Sequence, residues 1–279
     1  MQISDEVLKL IPAKMDWILA RCEQFIRERV SRAGAAGVVL GLSGGIDSST
    51  AAAICMRALG PDKVLVLLLP ERSSNPEDRE HALLVVSQFN IPFKEVEITE
   101  IIDRIRSVCT MSNEQDKRVL GNIKARIRML VLYTFTNLKN YLVVGSSNKS
   151  ELLTGYYTKY GDGGADILPL GDLYKTQIRQ LATHLKIPQV IINKPPSAGL
   201  WPGQTDEEEL GIQYNLLDKV LWGLEHWIDP EEIAAQLEIP PETVLHVQKL
   251  IQTSEHKRRG PILLKIGYRT PGLDWQIPE

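Results

Sequence analysis

Only three cysteines, Cys22, Cys55 and Cys109, occur in 279 residues. They are far apart, odd in number and in no metal-like spacing, which argues against a disulfide framework or a zinc site and for free thiols in a reducing compartment. Basic charge is not in excess. The 32 Lys and Arg stand against 35 Asp and Glu, a net charge of −3, so nucleic acid is not an expected partner. The longest strongly apolar stretch, Val64 to Leu69, falls far short of the roughly 20 residues a membrane helix needs. Asp5 and Glu6 stand where a secretory signal would be basic, and a cytosolic protein away from membranes is expected. Internal repeats and low-complexity tracts are also lacking. What is present is an ordinary soluble composition, 43% hydrophobic and 24% charged, with enough chain for a full core.

The most informative segment is Gly41-Leu42-Ser43-Gly44-Gly45-Ile46-Asp47-Ser48. Val38, Val39, Leu40 and Leu42 read as a buried strand, and Ile46 to Leu59 as the helix that follows. Glycines let backbone approach an anion, the helix start offers unpaired N–H groups, and Ser43 and Ser48 add hydroxyls. The turn therefore reads as a cradle for phosphates. A Walker A loop would place a lysine after its last glycine, but Ile46-Asp47 stands here instead. A carboxylate beside phosphates repels them unless a divalent cation intervenes, so Asp47 implies bound magnesium.

Organisation along the chain supports a nucleotide fold. An N-terminal helical pattern runs from Val7 to Val30, with Pro12 kinking or restarting it. After the cradle come a strand at Val64 to Leu69, a helix at Glu77 to Phe89, an alternating strand at Pro92 to Ile98, and a long helix from about Gln115 to Leu138. Tyr141 to Val144 is a further strand ending in Gly145-Ser146-Ser147-Asn148. This alternation predicts an α/β fold, a Rossmann-like, doubly wound parallel sheet with helices on both faces, and ligands outside the carboxyl ends of its strands. A single domain over 1–279 is expected, with an N-terminal helix to residue 35, a nucleotide-binding core over 36–200 and a helical part over 201–279. Lys159 to Asp166 is glycine-rich and reads as a mobile turn or lid, and Asn193 to Gly203 as a second flexible segment. Helices are expected at Asp206 to Trp227, Pro230 to Leu237 and Pro241 to about Lys257. The last two superficially resemble a helix-turn-helix, yet Ile228 to Gly260 carries six acids against four bases, a poor phosphate clamp.

The cradle resembles the signature loop of the ATP pyrophosphatases, which split ATP between its α and β phosphates and transfer AMP to an acceptor. Four further stretches narrow the acceptor: Gly145 to Glu151, Thr154 to Asp166, Pro169 to Lys175, and Glu255 to Arg258. Each alone has an ordinary surface explanation, but their joint order is similar to NAD synthetase, which amidates deamido-NAD with ammonia. The resemblance implies that Gly41, Leu42, Ser43, Gly44, Gly45, Ile46, Asp47, Ser48, Ser146, Lys175 and Ser197 contact ATP. The family often has Thr where Ser146 and Ser197 stand. It further implies that Asp47 and Glu151 hold magnesium, and that Arg126, Lys159, Asp166, His256 and Lys257 meet deamido-NAD. Asp162 would orient ammonia, and the family's homodimeric assembly would carry over. An ATP pyrophosphatase acting on a nucleobase or tRNA, and a non-catalytic nucleotide-binding module, remain open as alternatives.

Overall fold

The computed structural model describes residues 2–111, 117–201, 203–271 and 274. Gln115 and Asp116, at the start of the expected long helix, and Pro202 of the second flexible segment lie outside them. A 3-10 turn at Asp5–Leu8 precedes α1 (Pro12–Arg32), which begins at Pro12. Proline's missing N–H and fixed φ suit a first helical position, so Pro12 restarts the chain rather than kinking it.

Strand β1 (Gly37–Gly41) lies at the centre of a parallel sheet with β2 (Val64–Leu68), β3 (Phe93–Glu95) and β4 (Tyr141–Val143), in the order β3-β2-β1-β4. Val39 aligns with Leu65 of β2 and with Val143 of β4, and a single bridge from Val144 to Ile167 extends pairing past β4. Both sheet faces are covered, which is why β1 is apolar throughout rather than alternating. Val38 and Leu40 join one core with α1, α2 (Ile46–Leu59), α3 (Pro76–Phe89) and α7 (Lys175–His184). Val39, Leu67 and Val143 join the opposite core with α4 (Thr99–Val108) and α5 (Lys117–Lys139). The doubly wound arrangement is thus present. Strand order reverses between β1 and β4, and this is where such sheets open a ligand crevice.

Several boundaries differ from the sequence expectation. The strand expected at Pro92 to Ile98 is in ladder register only over Phe93–Glu95 at the exposed sheet edge; beyond it Val96 N still donates to the Leu68 carbonyl and Ile98 N to the Pro70 carbonyl, and Ile98 is buried as the N-cap of α4. Asp206 to Trp227 is two helices, α9 (Asp206–Leu210) and α10 (Tyr214–Glu225), separated by Gly211 at φ +70°. That left-handed backbone ends a helix, and it costs glycine little. The final helix divides at Ser254 into α12 (Pro241–Thr253) and α13 (Glu255–Arg258). Helix α6 (Lys149–Thr154), α7 and the short α8 (Gln189–Ile192) complete the chain with α11 (Pro230–Leu237). Helices α10, α11 and α12 build a third core around Leu217, Val220, Ile233 and Val244, which also takes in Ile3 and Leu8. The α11–α12 pair is a hairpin packed on that core. No helix among the described residues is long and apolar enough to cross a membrane.

Candidate active site

The turn between β1 and α2 is shaped by its own hydroxyls. Ser43 N donates to Ser48 Oγ at 3.2 Å, the two serine hydroxyls lie 3.0 Å apart, and Gly45 N donates to Ser43 Oγ at 3.3 Å. Gly45 is the N-cap of α2 and supplies no side chain to close the helix start, so the orphan N–H groups and the positive dipole end face the crevice. Gly44 sits at φ +76°, and a Cβ there would lie 2.1 Å from the Asp78 carbonyl oxygen. Both the conformation and the close approach of α3 demand glycine.

Across the strand-order reversal, the loop after β4 ends in Asn148, fully buried and the N-cap of α6. Asn148 Nδ2 donates to Asp47 Oδ1 at 3.1 Å, while its backbone N donates to Glu151 Oε2 at 3.2 Å and its Oδ1 accepts from Glu151 N at 2.9 Å. Lys175, the first residue of α7, is 3% exposed. Its ammonium donates to Asp47 Oδ2 at 2.5 Å and Glu151 Oε1 at 3.1 Å and lies 5.1 Å from the ring centre of buried Tyr214. Taken alone, a lysine after Leu173-Tyr174 is usually solvated; here the opening turn of α7 carries it into the crevice.

Charge in this cluster is unbalanced. Besides Asp47 and Glu151, the buried Asp206 acts on Lys175, so three acids surround one ammonium. Burial pushes the Glu151 carboxyl up to about 8 against the attraction of Lys175, with Asp47 and Asp206 adding like-charge repulsion. The Lys175 ammonium is held above the ordinary lysine range although burial opposes its charge, because Asp47 and Glu151 lie beside it. One Asp206 oxygen, Oδ1, is buried without a hydrogen-bond partner.

A second group of side chains gathers around residues 155–166. Arg126 Nη2 donates to the Lys159 carbonyl at 3.4 Å, and the Lys159 ammonium donates to the His256 carbonyl. Lys257 Nζ donates to the carbonyls of Gly155 at 2.6 Å and Tyr157 at 2.7 Å. Burial lowers the Lys257 ammonium below the usual lysine range, with Asp162 opposing. Asp162 Oδ1 accepts from Thr158 N at 2.9 Å, and the loop closes on itself through Gly161, Gly163 and Gly164 amides. Asp166 stands apart from Lys159 in its bonding, accepting from Tyr133 Oη at 3.0 Å and Val143 N at 2.7 Å.

The NAD synthase family matches residues 18–261. The NH(3)-dependent NAD(+) synthetase of Methanocaldococcus jannaschii is 50% identical, over 88% of this chain and 96% of that protein. The chain belongs to the NAD synthase family. It is thereby a ligase that forms carbon–nitrogen bonds. Among solved structures, an NMN synthetase from Francisella tularensis superposes with a TM-score of 0.81 at 31% identity, covering 90% of this chain and 99% of that one. The NH3-dependent NAD synthetase from Campylobacter jejuni gives 0.76 at 35% identity, with the same coverages.

Within this NAD synthase fold the expected residues fall into distinct places. Asp47, Ser48, Glu151 and Lys175 converge at the crevice, where Ser146 is half-buried on the β4 loop. Ser197 is exposed, and its hydroxyl accepts from Gly199 N at 3.1 Å. Its loop meets the cradle's flank through Lys194, which pairs with Asp78. Asn148, Asp206 and Tyr214 are cluster members that the sequence reading does not single out. Asn148 sits in the quoted stretch before Glu151, where an Asn three residues ahead of a Glu is a capping-box signal. Asp206 and Tyr214 come from the helical part and carry no local signal.

The donor set suits magnesium. Among the described residues no group of three or more His, Cys, Asp or Glu side chains stands ready for a metal. Magnesium, however, is commonly held by one or two carboxylates together with water and substrate phosphate oxygens. Asp47 and Glu151 would offer such a cation hard oxygen ligands beside the Gly41–Ser48 turn, and the surplus negative charge around Lys175 is what a divalent cation would relieve.

Proposed function

We propose that this ligase amidates deamido-NAD with ammonia at the expense of ATP, releasing NAD, AMP and pyrophosphate through an NAD-adenylate. The observation that carries the reading is the convergence of the Gly41–Ser48 cradle with Asp47, Glu151 and Lys175 at the strand-order reversal. A carboxylate is a poor electrophile because its leaving group would be oxide, and adenylation replaces that with AMP. The open start of α2 and the Ser43 and Ser48 hydroxyls would bind the β,γ-pyrophosphate and stabilise its developing charge. Lys175 would share that charge at the point of bond cleavage. Magnesium, held by Asp47 and Glu151, would supply Lewis-acid neutralisation of the phosphates. Arg126 and Lys159 would hold the acceptor against the α-phosphorus, with Asp166, His256 and Lys257 assisting, which is catalysis chiefly by positioning. Ammonia oriented near Asp162 would then attack the adenylate carbonyl and AMP would leave, and the bound substrates would have to exclude water for ammonia to react first.

The test mixes protein, ATP, magnesium, deamido-NAD and ammonium chloride and follows NAD alongside AMP. Equal yields of NAD and AMP are expected; AMP and pyrophosphate without NAD would remove the acceptor. The likeness to an NMN synthetase supports a second reading, with nicotinate mononucleotide as acceptor. Running the two acceptors side by side decides between them by kcat/KM.

We also propose a cytosolic homodimer. Support for the assembly comes from α5, whose Val119, Leu130 and Leu138 are exposed apolar side chains on a long helix, and light scattering at a mass near twice 31.3 kDa is the expected result.

A further inference from the structure

Asp218 is a buried acid with no part in the chemistry above. It lies on α10, in the helical part, and is 0% exposed among Leu217, Val220 and Leu221. Its carboxylate reaches out of that core to two helix starts at once. Oδ1 accepts the Ser150 hydroxyl proton at 2.6 Å, and Oδ2 accepts from Thr176 N at 2.8 Å. The Ser150 hydroxyl in turn accepts from Lys175 N at 3.0 Å. Ser150 immediately precedes Glu151 in the first turn of α6, and Thr176 immediately follows Lys175 in the first turn of α7. One turn earlier on the same face of α10, Tyr214 places its ring against the Lys175 ammonium.

We propose that Asp218 is a positioning residue for the reaction: by tying the Ser150 hydroxyl and the Thr176 amide to one carboxylate, it fixes the first turns of α6 and α7 and so the spacing of Glu151 and Lys175. The carboxylate accepts without needing to donate, and each of its oxygens has a separate partner. An amide in its place would present N–H to one of two donors. The Ser150 hydroxyl proton would then lose its acceptor, or the Thr176 N–H would. The crevice is thus built from both halves of the chain, and α10 acts as a brace between two catalytic helix starts. This inference rests on the amidation reading for the roles of Glu151 and Lys175.

The test compares Asp218→Asn, Ser150→Ala and the double variant with a core control, Val220→Ala, which loses packing on the same helix and makes none of these bonds. Asp218→Asn is expected to lower kcat about 10–100-fold with the KM for ATP within about threefold, since a small misplacement of reacting groups has effects of this size while the cradle's grip on ATP is untouched. Ser150→Ala breaks the same chain, so the double variant should fall no further than the worse single one. Val220→Ala should unfold at lower denaturant yet keep wild-type kcat. The proposal is overturned if Asp218→Asn folds and retains kcat, if the two defects multiply, or if Val220→Ala loses kcat to the same degree. Should Asp218→Asn fail to fold, Ser150→Ala against Val220→Ala carries the same comparison. If the wild-type enzyme cleaves ATP but makes no NAD, the acceptor is wrong, and the same ratios are read from AMP release.

Discussion

Lys175 sits where three acids converge, so replacing it is expected to act twice. Lys175→Met removes the positive charge proposed to meet the phosphates and leaves buried carboxylates unpaired, a loss on the order of 3–5 kcal/mol for a buried pair broken on one side. Turnover should fall at least about 100-fold and the unfolding midpoint should drop with it. Asp47→Ala and Glu151→Ala should each abolish NAD formation while far-UV circular dichroism stays that of the folded protein; near-normal turnover in both would take these carboxylates out of the mechanism. Thiols give an independent check on burial. Burial pushes Cys22 up to about 11 and Cys55 to about 12, whereas Cys109 is exposed. One thiol should therefore react with Ellman's reagent in the native protein at pH 8 and three in denaturant. Because the folded thiols titrate above their ordinary value of 9.0, the folded state holds its protons after the unfolded chain has lost them. Their contribution is complete below pH 9 and is lost as pH rises toward 11 and beyond, so the urea midpoint should be lower at pH 10.5 than at pH 8.

Loops and helices carry the next set of constraints. Lys124 of α5 is buried, and its ammonium donates to Glu71 Oε1 at 2.7 Å, Ser73 Oγ at 3.0 Å and the Leu200 carbonyl at 2.9 Å. Those bonds tie the loop after β2 and the segment bearing Ser197 to one helix. Lys124→Met is expected to free that segment and raise the KM for ATP several-fold, with stability lowered by the now unpaired Glu71; unchanged ATP affinity would separate the segment from nucleotide binding. The same elements show what periodicity could and could not reveal. Strands β1 and β2 were legible because strands covered on both faces are continuous apolar runs. Edge strand β3 was overextended, since alternation in Pro92 to Ile98 does not reveal where the chain leaves the ladder. The break between α9 and α10 hides in an unbroken polar and apolar pattern that only the left-handed Gly211 interrupts.

At the scale of the whole molecule, residues far apart in sequence share one core. Ile3 and Leu8 are buried with α10, α11 and α12, and Ile3 N donates to Gln236 Oε1 at 2.7 Å. Leu8→Ala should cost about 2–5 kcal/mol, the usual range for deleting a buried leucine side chain. Urea unfolding measures it, and a change under about 0.5 kcal/mol, the range of surface substitutions, would deny that segment a structural role. By itself the sequence determined the parallel α/β fold, the glycine turn from strand to helix at Gly41–Ser48, and the family, since these rest on local runs, a single turn and ordered short motifs. Only the tertiary structure decided that Asn148 bridges Asp47 to Glu151, that Lys175, 128 residues from Asp47, is buried between them, and that Asp218 braces both helix starts. Such contacts depend on where the sheet's crossovers deliver distant segments, and an isolated polar residue on a helix carries no local mark of the partner that folding will bring to it.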